Sequence, residues 1–269
     1  MITSLVVSLD LEETGDRAMP TAASLATLGG LPVELITVSS PGMPAAPDIY
    51  ELERRAAAHR LEQFSCVVLR DEAAGGAIVE HMASRPDALL VMGTSAKGPV
   101  ARQLLGSVSE YVLGHIGSPV LMVGPHTLPY DMSTPTLIVC VDDSDHVDVA
   151  APVIASWLDT FGGRTVITTV ESGEGDIANA GATERLWQLG RVVAARSDTP
   201  AATVVLSGRD TATALDKLAE RTIGAVLLAV SVRWTDNQFH RHSVTRDLVR
   251  RATTPVLVVP ATALRPGAG

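Results

Sequence analysis

The chain of 269 residues repeats itself, and that repeat limits its fold more than any other feature. Leu5-Val6-Val7-Ser8-Leu9-Asp10 matches Leu137-Ile138-Val139-Cys140-Val141-Asp142, an apolar run closed by aspartate. Ser107-Val108-Ser109-Glu110-Tyr111-Val112-Leu113 runs on to Pro119-Val120-Leu121-Met122-Val123. Ser243-Val244-Thr245-Arg246-Asp247-Leu248-Val249 runs on to Pro255-Val256-Leu257-Val258-Val259 in the same way. The offset is 132 at the start and 136 at the end, so the second copy carries about four extra residues. One domain has been duplicated. The expected division is a first domain over 1–124, a linker over 125–135, a second domain over 136–261 and a tail over 262–269.

Within each copy, short β-branched runs alternate with longer Ala- and Leu-rich segments. The pattern predicts strands near 3–9, 32–38, 64–69, 87–92 and 119–123, with helices near 17–29, 49–61, 75–84 and 107–116. In the second copy it predicts strands near 136–141, 164–170, 202–206, 224–230 and 255–259, and helices near 146–160, 182–197, 210–221 and 243–252. Continuous apolar strands separated by helices make a parallel sheet covered on both faces. The expected fold class is therefore α/β, two doubly wound parallel-sheet domains in tandem. In such sheets ligands bind beyond the carboxyl ends of the strands, where strand order reverses. Asp10 ends the first strand and Gly93 follows the fourth, so the two face one crevice if those strands are neighbours.

Composition narrows the function classes. A formal net charge of −9 argues against a general nucleic-acid surface. Aromatic residues make up only 3% of the chain, which leaves the core to Val, Leu, Ile and Ala. Cys66 and Cys140 sit inside apolar runs, read as buried thiols, and form no CxxC pair. No apolar run reaches the length of a membrane span and no leader pattern opens the chain, so the default expectation is a cytoplasmic protein without a membrane partner.

The stretch Gly93-Thr94-Ser95-Ala96-Lys97-Gly98-Pro99 separates a strand from a helix and has the raw material of an anion cradle. Generic motifs fail there. Pro99 stands where a Walker-type loop needs a hydroxyl, and no GxGxxG follows the first strand. Gly106-Ser107-Val108-Ser109 lacks the spacing of a nucleophile elbow. Ser107, three residues before Glu110, fits a helix N-cap completing a capping box. The same serine fits a phosphate contact, and the two roles are compatible.

The spacing from Gly93 to Gly106 and Ser107, followed by Ser-Val-Ser-Glu and Pro-Val-Leu-Met-Val, resembles the universal stress protein family. The resemblance covers nearly the whole chain as a tandem of two such domains with an adenine nucleotide alpha-hydrolase-like fold. It implies an adenine nucleotide, ATP or a relative, with Mg²⁺ as a possible companion, lying across the crevice. It also implies a nucleotide-binding role in stress response. Asp10 matches the family's aspartate and Val38 the point where the second strand meets the nucleotide. Gly93 lets the backbone approach closely. Gly106, Ser107, Val108 and Ser109 open a helix whose N–H groups and dipole favour phosphate. The resemblance further implies pairing through the last strands, here between two halves of one chain, with a homodimer of the whole chain left open.

This chain departs from the pattern in places. Ala96 occupies the second glycine position, where a left-handed backbone would cost roughly 1 kcal/mol. Glu12 and Glu13 bring negative charge near a triphosphate, and Lys97 offsets one of them. Aligned on Ser243, the second copy offers Ala229, Val232 and His242 for the three glycines, with Arg233, Trp234, Phe239 and His240 filling the loop. Asp142 remains, and can equally cap the next turn. The nucleotide is therefore expected in the first domain.

Two other readings stay open. One is a nucleotide-free interaction scaffold in which Arg233, Arg241, Arg246, Arg250 and Arg251 recruit a protein partner; the other treats those arginines as a solvated helix face. Slow ATP hydrolysis would need a base for water, and no residue here fits that role. Catalytic residues and metal ligands are not assigned. His240 and His242 are too few for a metal site. Trp157 and Trp187 read as packing anchors within helices.

Overall fold

Ten short apolar runs become ten strands of one continuous sheet. The computed structural model describes residues 1–11, 15–94, 106–128, 132–140, 147–171, 201–231 and 243–260, together with 184–195 except 185, 188 and 192. The strands are β1 (Ser4–Ser8), β2 (Val33–Ser39), β3 (Phe64–Arg70), β4 (Ala88–Gly93) and β5 (Val120–Val123) in the first half. In the second they are β6 (Thr136–Cys140), β7 (Arg164–Glu171), β8 (Ala201–Ser207), β9 (Ala225–Ser231) and β10 (Val256–Pro260). Between them lie α1 (Ala18–Gly29), α2 (Ala46–Ala58), α3 (Ala74–Ala83), α4 (Ser107–His115), α5 (Val147–Phe161), α6 (Thr211–Glu220) and α7 (Val244–Arg251). The described residues of 184–195 are also helical.

The sheet runs β3-β2-β1-β4-β5-β10-β9-β6-β7-β8. Pairing is parallel within each half, and β5 meets β10 antiparallel. Strand order reverses between β1 and β4, which pair from Ser4↔Ala88 to Ser8↔Met92. The doubly wound expectation and the pairing through last strands both hold. Side chains alternate between the two faces, as the two-residue period requires. Leu5, Val7, Leu89 and Val91 pack on one face, while Val6, Leu90 and Met92 pack on the other. Each of these clusters continues into the second half, so the joint is part of the core.

The β5–β10 register is Met122↔Val256, Leu121↔Leu257 and Val120↔Val258. Leu121 and Leu257 are counterparts in the repeat, so a local two-fold axis passes between them. Pairing these two apolar strands covers edges that would otherwise template association. The joint continues on one face through α1 and α5. Both helices end at a left-handed glycine, Gly30 and Gly162, which makes Phe161 the counterpart of Gly29. A Cβ on Gly29 would lie 3.1 Å from Phe161 Cε1, so the small residue makes room for the large one.

Several sequence expectations need correction. Ser8 pairs with Met92 and Cys140 with Ala229, so Ala229 corresponds to Met92 and the counterpart of Gly93 is Val230. The offset therefore rises to 137 at β9 before returning to 136 at β10. The single alignment anchored on Ser243 could not register this one-residue slip. Trp157 is fully buried against Phe161, whereas Trp187 is 60% exposed, because Leu186, Leu189 and Val193 take the inner face of its helix. Cys66 and Cys140 are half-buried rather than buried. Burial pushes the Cys66 thiol up, with help from the charge of Glu53. Among the described residues, no helix is long and apolar enough to cross a membrane.

Candidate functional site

The crevice at the β1/β4 reversal is built from four chain segments. Leu9 N donates to Ile36 O at 2.9 Å, so the chain stays extended one residue past β1 before Asp10 emerges at the surface. Ser8 pairs with Ile36 and with Met92. Continued two residues, that register sets Asp10 level with Val38 on one side and with Thr94 on the other. Val38 is half-buried, pairs with Leu69 of β3 and packs on the face that carries α3 and α4.

The turn after β1 is held by a residue that the sequence did not single out. Arg55 of α2 is only 3% exposed, and its guanidinium donates to two carbonyls, Asp10 O at 3.0 Å and Leu11 O at 2.8 Å. Its Nε donates to Glu51 Oε1 at 2.8 Å, and Nη1 stands 2.6 Å from Asp16 Oδ1. A buried arginine so bonded is compensated, and its planar fork fixes the turn in a way lysine cannot. Glu51 also takes two 2.7 Å hydrogen bonds from Arg54. Those bonds first, and Arg55 second, hold its carboxyl down at about 2. In the sequence, Glu51 and Arg55 look like a routine surface pair four residues apart; the carbonyls 44 and 45 positions away are what distinguish them.

Across the crevice, β4 ends at Gly93 and Thr94 follows it. A Cβ on Gly93 would meet Arg17 Cβ and Ala18 N at 3.7 Å, an ordinary contact, so the protein's own packing does not demand glycine there. Thr94 N donates to Val123 O at 3.0 Å. The Thr94 side chain is 5% exposed, and its Oγ1 has no hydrogen-bond partner among the described residues. An orphaned buried hydroxyl costs about 1–3 kcal/mol, so the position is unusual in a protein interior.

α4 links the carboxyl end of β4 to the start of the parallel strand β5, so it begins at the crevice end of the sheet. Gly106, with φ 64° and ψ 139°, is its N-cap, a conformation that side chains rarely adopt. Among the described residues no side chain caps this helix. The capping-box expectation is thus corrected: Ser107 is the first helical residue and exposed, while Glu110 turns away to Arg246, Oε1 to Nη2 at 2.8 Å. Val108 is half-buried and Ser109 buried. In the second half, Ser243 does cap α7, its side chain accepting from Arg246 N at 3.4 Å. Among the described residues, the first copy's helix start has no side-chain cap and the second copy's has one.

The structure therefore brings Asp10, Val38, Gly93 and the Gly106–Ser109 helix start to one end of the first-half sheet. Glu12, Glu13, Ala96 and Lys97 lie outside the described residues, as do Asp142, Val232, Arg233, Trp234, Phe239, His240, Arg241 and His242. Of the arginine patch, the three described members each face a carboxylate: Arg246 with Glu110, Arg250 with Asp247 at 3.6 Å, and Arg251 with Asp210 at 3.1 Å.

Residues 1–124 match the family model described as the universal stress protein family. A universal stress protein of Mycolicibacterium smegmatis is 28% identical over 214 residues, covering 71% of this chain and 72% of that protein. The crystal structure of a universal stress protein from Archaeoglobus fulgidus DSM 4304 superposes with a TM-score of 0.68 at 19% identity. It covers 96% of this chain and 98% of its own. A universal stress protein solved in complex with cAMP matches 45% of this chain and 96% of its own, at 26% identity and a TM-score of 0.40. The first half thus matches the universal stress protein family model, a universal stress protein spans most of the chain at 28% identity, and the whole chain shares the fold of the Archaeoglobus fulgidus protein.

Proposed function

We propose that the chain binds an adenine nucleotide in the first-half crevice and works as a ligand-responsive regulatory protein in stress response, with domain 136–261 as its structural partner. The observation that carries this reading is the start of α4 at Gly106, uncapped among the described residues, at the same end of the sheet as the orphaned Thr94 hydroxyl and Asp10. Free helix N–H groups and the helix dipole favour a phosphate. The residues present fit the group. Asp10 is placed to accept from a ribose hydroxyl or the adenine edge, and Val38 offers an apolar wall for the base. Gly93 leaves backbone open to close approach, and the N–H groups of Ser107, Val108 and Ser109 face the phosphates. The second half, where Ser243 occupies its own helix start, is the scaffold.

ATP, ADP, AMP and cyclic AMP share the adenosine that Asp10 and Val38 would hold, and differ in the phosphates offered to α4. Among the described residues no cluster of three His, Cys, Asp or Glu side chains is placed to hold a cation. Mg²⁺ therefore enters this reading with a triphosphate, and the comparison to make is ATP with and without it. The test is chromatography and mass spectrometry of small molecules released by denaturing freshly purified protein, followed by calorimetric titration with the four nucleotides. A stoichiometric adenine nucleotide, lost in Gly106→Val while the variant keeps its cooperative unfolding, is the expected result. An empty protein that stays silent to all four would overturn the reading and leave a nucleotide-free interaction scaffold.

A further inference from the structure

We propose that Arg17 is a phosphate ligand of this crevice and that its guanidinium ties occupancy of the site to the segment joining the two halves. The inference rests on the adenine-nucleotide reading and adds to it a residue from a different wall. Arg17 closes the short 3-10 turn Gly15–Arg17 and is the N-cap of α1, a helix start that also lacks a side-chain cap. It stands directly beside Gly93, as the 3.7 Å approach shows. Where packing does not require a glycine, the space it leaves beside an arginine is available to a ligand.

The side chain of Arg17 is exposed, and its single recorded contact among the described residues is Nη1 donating to Pro125 O at 2.7 Å. No carboxylate pairs with it there. Arg54, Arg55, Arg85, Arg246, Arg250 and Arg251 each have one within 4.0 Å, whereas Arg17 shares its lack of one among the described residues with other arginines, and what sets it apart is its place beside Gly93. A guanidinium carries five N–H donors in a planar fork suited to phosphate, and most of them remain open here. Thr94 supplies the independent sign of a missing polar partner at the same strand end. In the second half, the position of Arg17 is taken by Val149. The arginine thus belongs to the half whose α4 start has no side-chain cap among the described residues.

Pro125 gives the contact its second meaning. The segment it opens is fastened to the second half: Leu128 N donates to Thr253 O at 2.9 Å, and a Cβ on Gly124 would lie 2.3 Å from Val249 O. A phosphate arriving beside Gly93 draws the whole guanidinium towards its open donors and away from the neutral Pro125 carbonyl, since charge-assisted bonds are roughly twice as strong as neutral ones. Phosphate in the crevice thereby loosens residues 125–128.

The test compares adenosine, AMP and ADP binding to the full chain, Arg17→Ala and Arg17→Gln, with amide hydrogen exchange followed over 126–128. The expected result is that both variants bind AMP and ADP about tenfold or more weakly while adenosine binding is unchanged. AMP should speed exchange over 126–128 in the parent. Arg17→Ala should exchange fast without ligand, and Arg17→Gln, which can still donate to Pro125 O, slowly. Unfolding curves matching the parent's certify both variants as folded. If the parent binds AMP and the variants bind it within twofold of the parent, or lose adenosine equally, the Arg17 assignment is overturned and the nucleotide reading stands. If AMP leaves exchange unaltered, the coupling is overturned. If the parent binds neither adenosine nor AMP, both readings fall.

Discussion

Arg246 and Glu110 are the same position of the repeat, and they meet each other at 2.8 Å across the local two-fold axis. The offset of 136 that relates them also relates Leu121 to Leu257, the pair at the centre of the joint. In a symmetric dimer of single domains, that position would face its own copy, acid against acid or base against base. Duplication within one chain has let the two sides become opposite charges. Gly29 and Phe161 carry the same logic on the other face, with size in place of charge.

A charge cycle at 110 and 246 tests this. Arg246→Glu, which sets two carboxylates together, should destabilise the protein by about 1 kcal/mol, more than Arg246→Ala does. The exchanged double variant Glu110→Arg/Arg246→Glu should regain most of the loss in urea unfolding. A double variant no more stable than Arg246→Glu alone would show that the pair is not coupled.

Phe161→Ala removes a buried ring at the joint and should cost about 3–5 kcal/mol. Adding Gly29→Leu should return part of it, because the new side chain grows into the vacated space. Denaturant midpoints of the two variants decide the matter, and a further loss in the double variant would contradict the complementary packing.

Thr94→Val exchanges an orphaned hydroxyl for a methyl of the same shape. The ligand-free protein should be equally stable or up to about 1 kcal/mol more stable, since no internal hydrogen bond is lost. AMP should bind more weakly. A clear loss of stability without ligand would mean that Oγ1 is satisfied within the protein.

Glu51 makes stability depend on acid. Its carboxyl is held at about 2, against 4.5 ordinarily, by Arg54 first and Arg55 second. A depressed carboxylate contributes in full above about pH 4.5, and the contribution is lost as pH falls from there to about 2. Glu51→Gln should therefore lower Tm near neutrality and flatten its fall across that window. Parallel Tm curves for parent and variant between pH 4.5 and 2 would refute the assignment.

The architecture was largely legible in the residues, because parallel strands buried on both faces read as unbroken apolar runs such as Leu89–Met92 and Val256–Val259. The candidate site was legible only in outline. Gly106 announced itself by its spacing, and its positive φ explains why a glycine stands there. The capping role read into Ser107 and Glu110 was misplaced, since a local pattern does not reveal that Glu110 is claimed by a residue 136 positions away. Arg55 and Arg17 went unread for the same reason: each acts on backbone carbonyls far along the chain. Trp187 shows the converse, for a large apolar residue in a helix says nothing of which face it takes until its neighbours Leu186 and Leu189 are placed.

The antiparallel meeting of β5 with β10 also gives each end of the molecule the carboxyl ends of one half's strands and the strand starts of the other's. The carboxyl ends of β1 and β4 point one way along the sheet, and those of β6 and β9 point the other. A protein that docks over the first crevice therefore rests its far side on the loops that begin the strands of the second half, never on a second crevice. A partner that read a ligand there would read it against a surface that the duplicated half supplies from its opposite pole, and that surface can change without touching the crevice beside it.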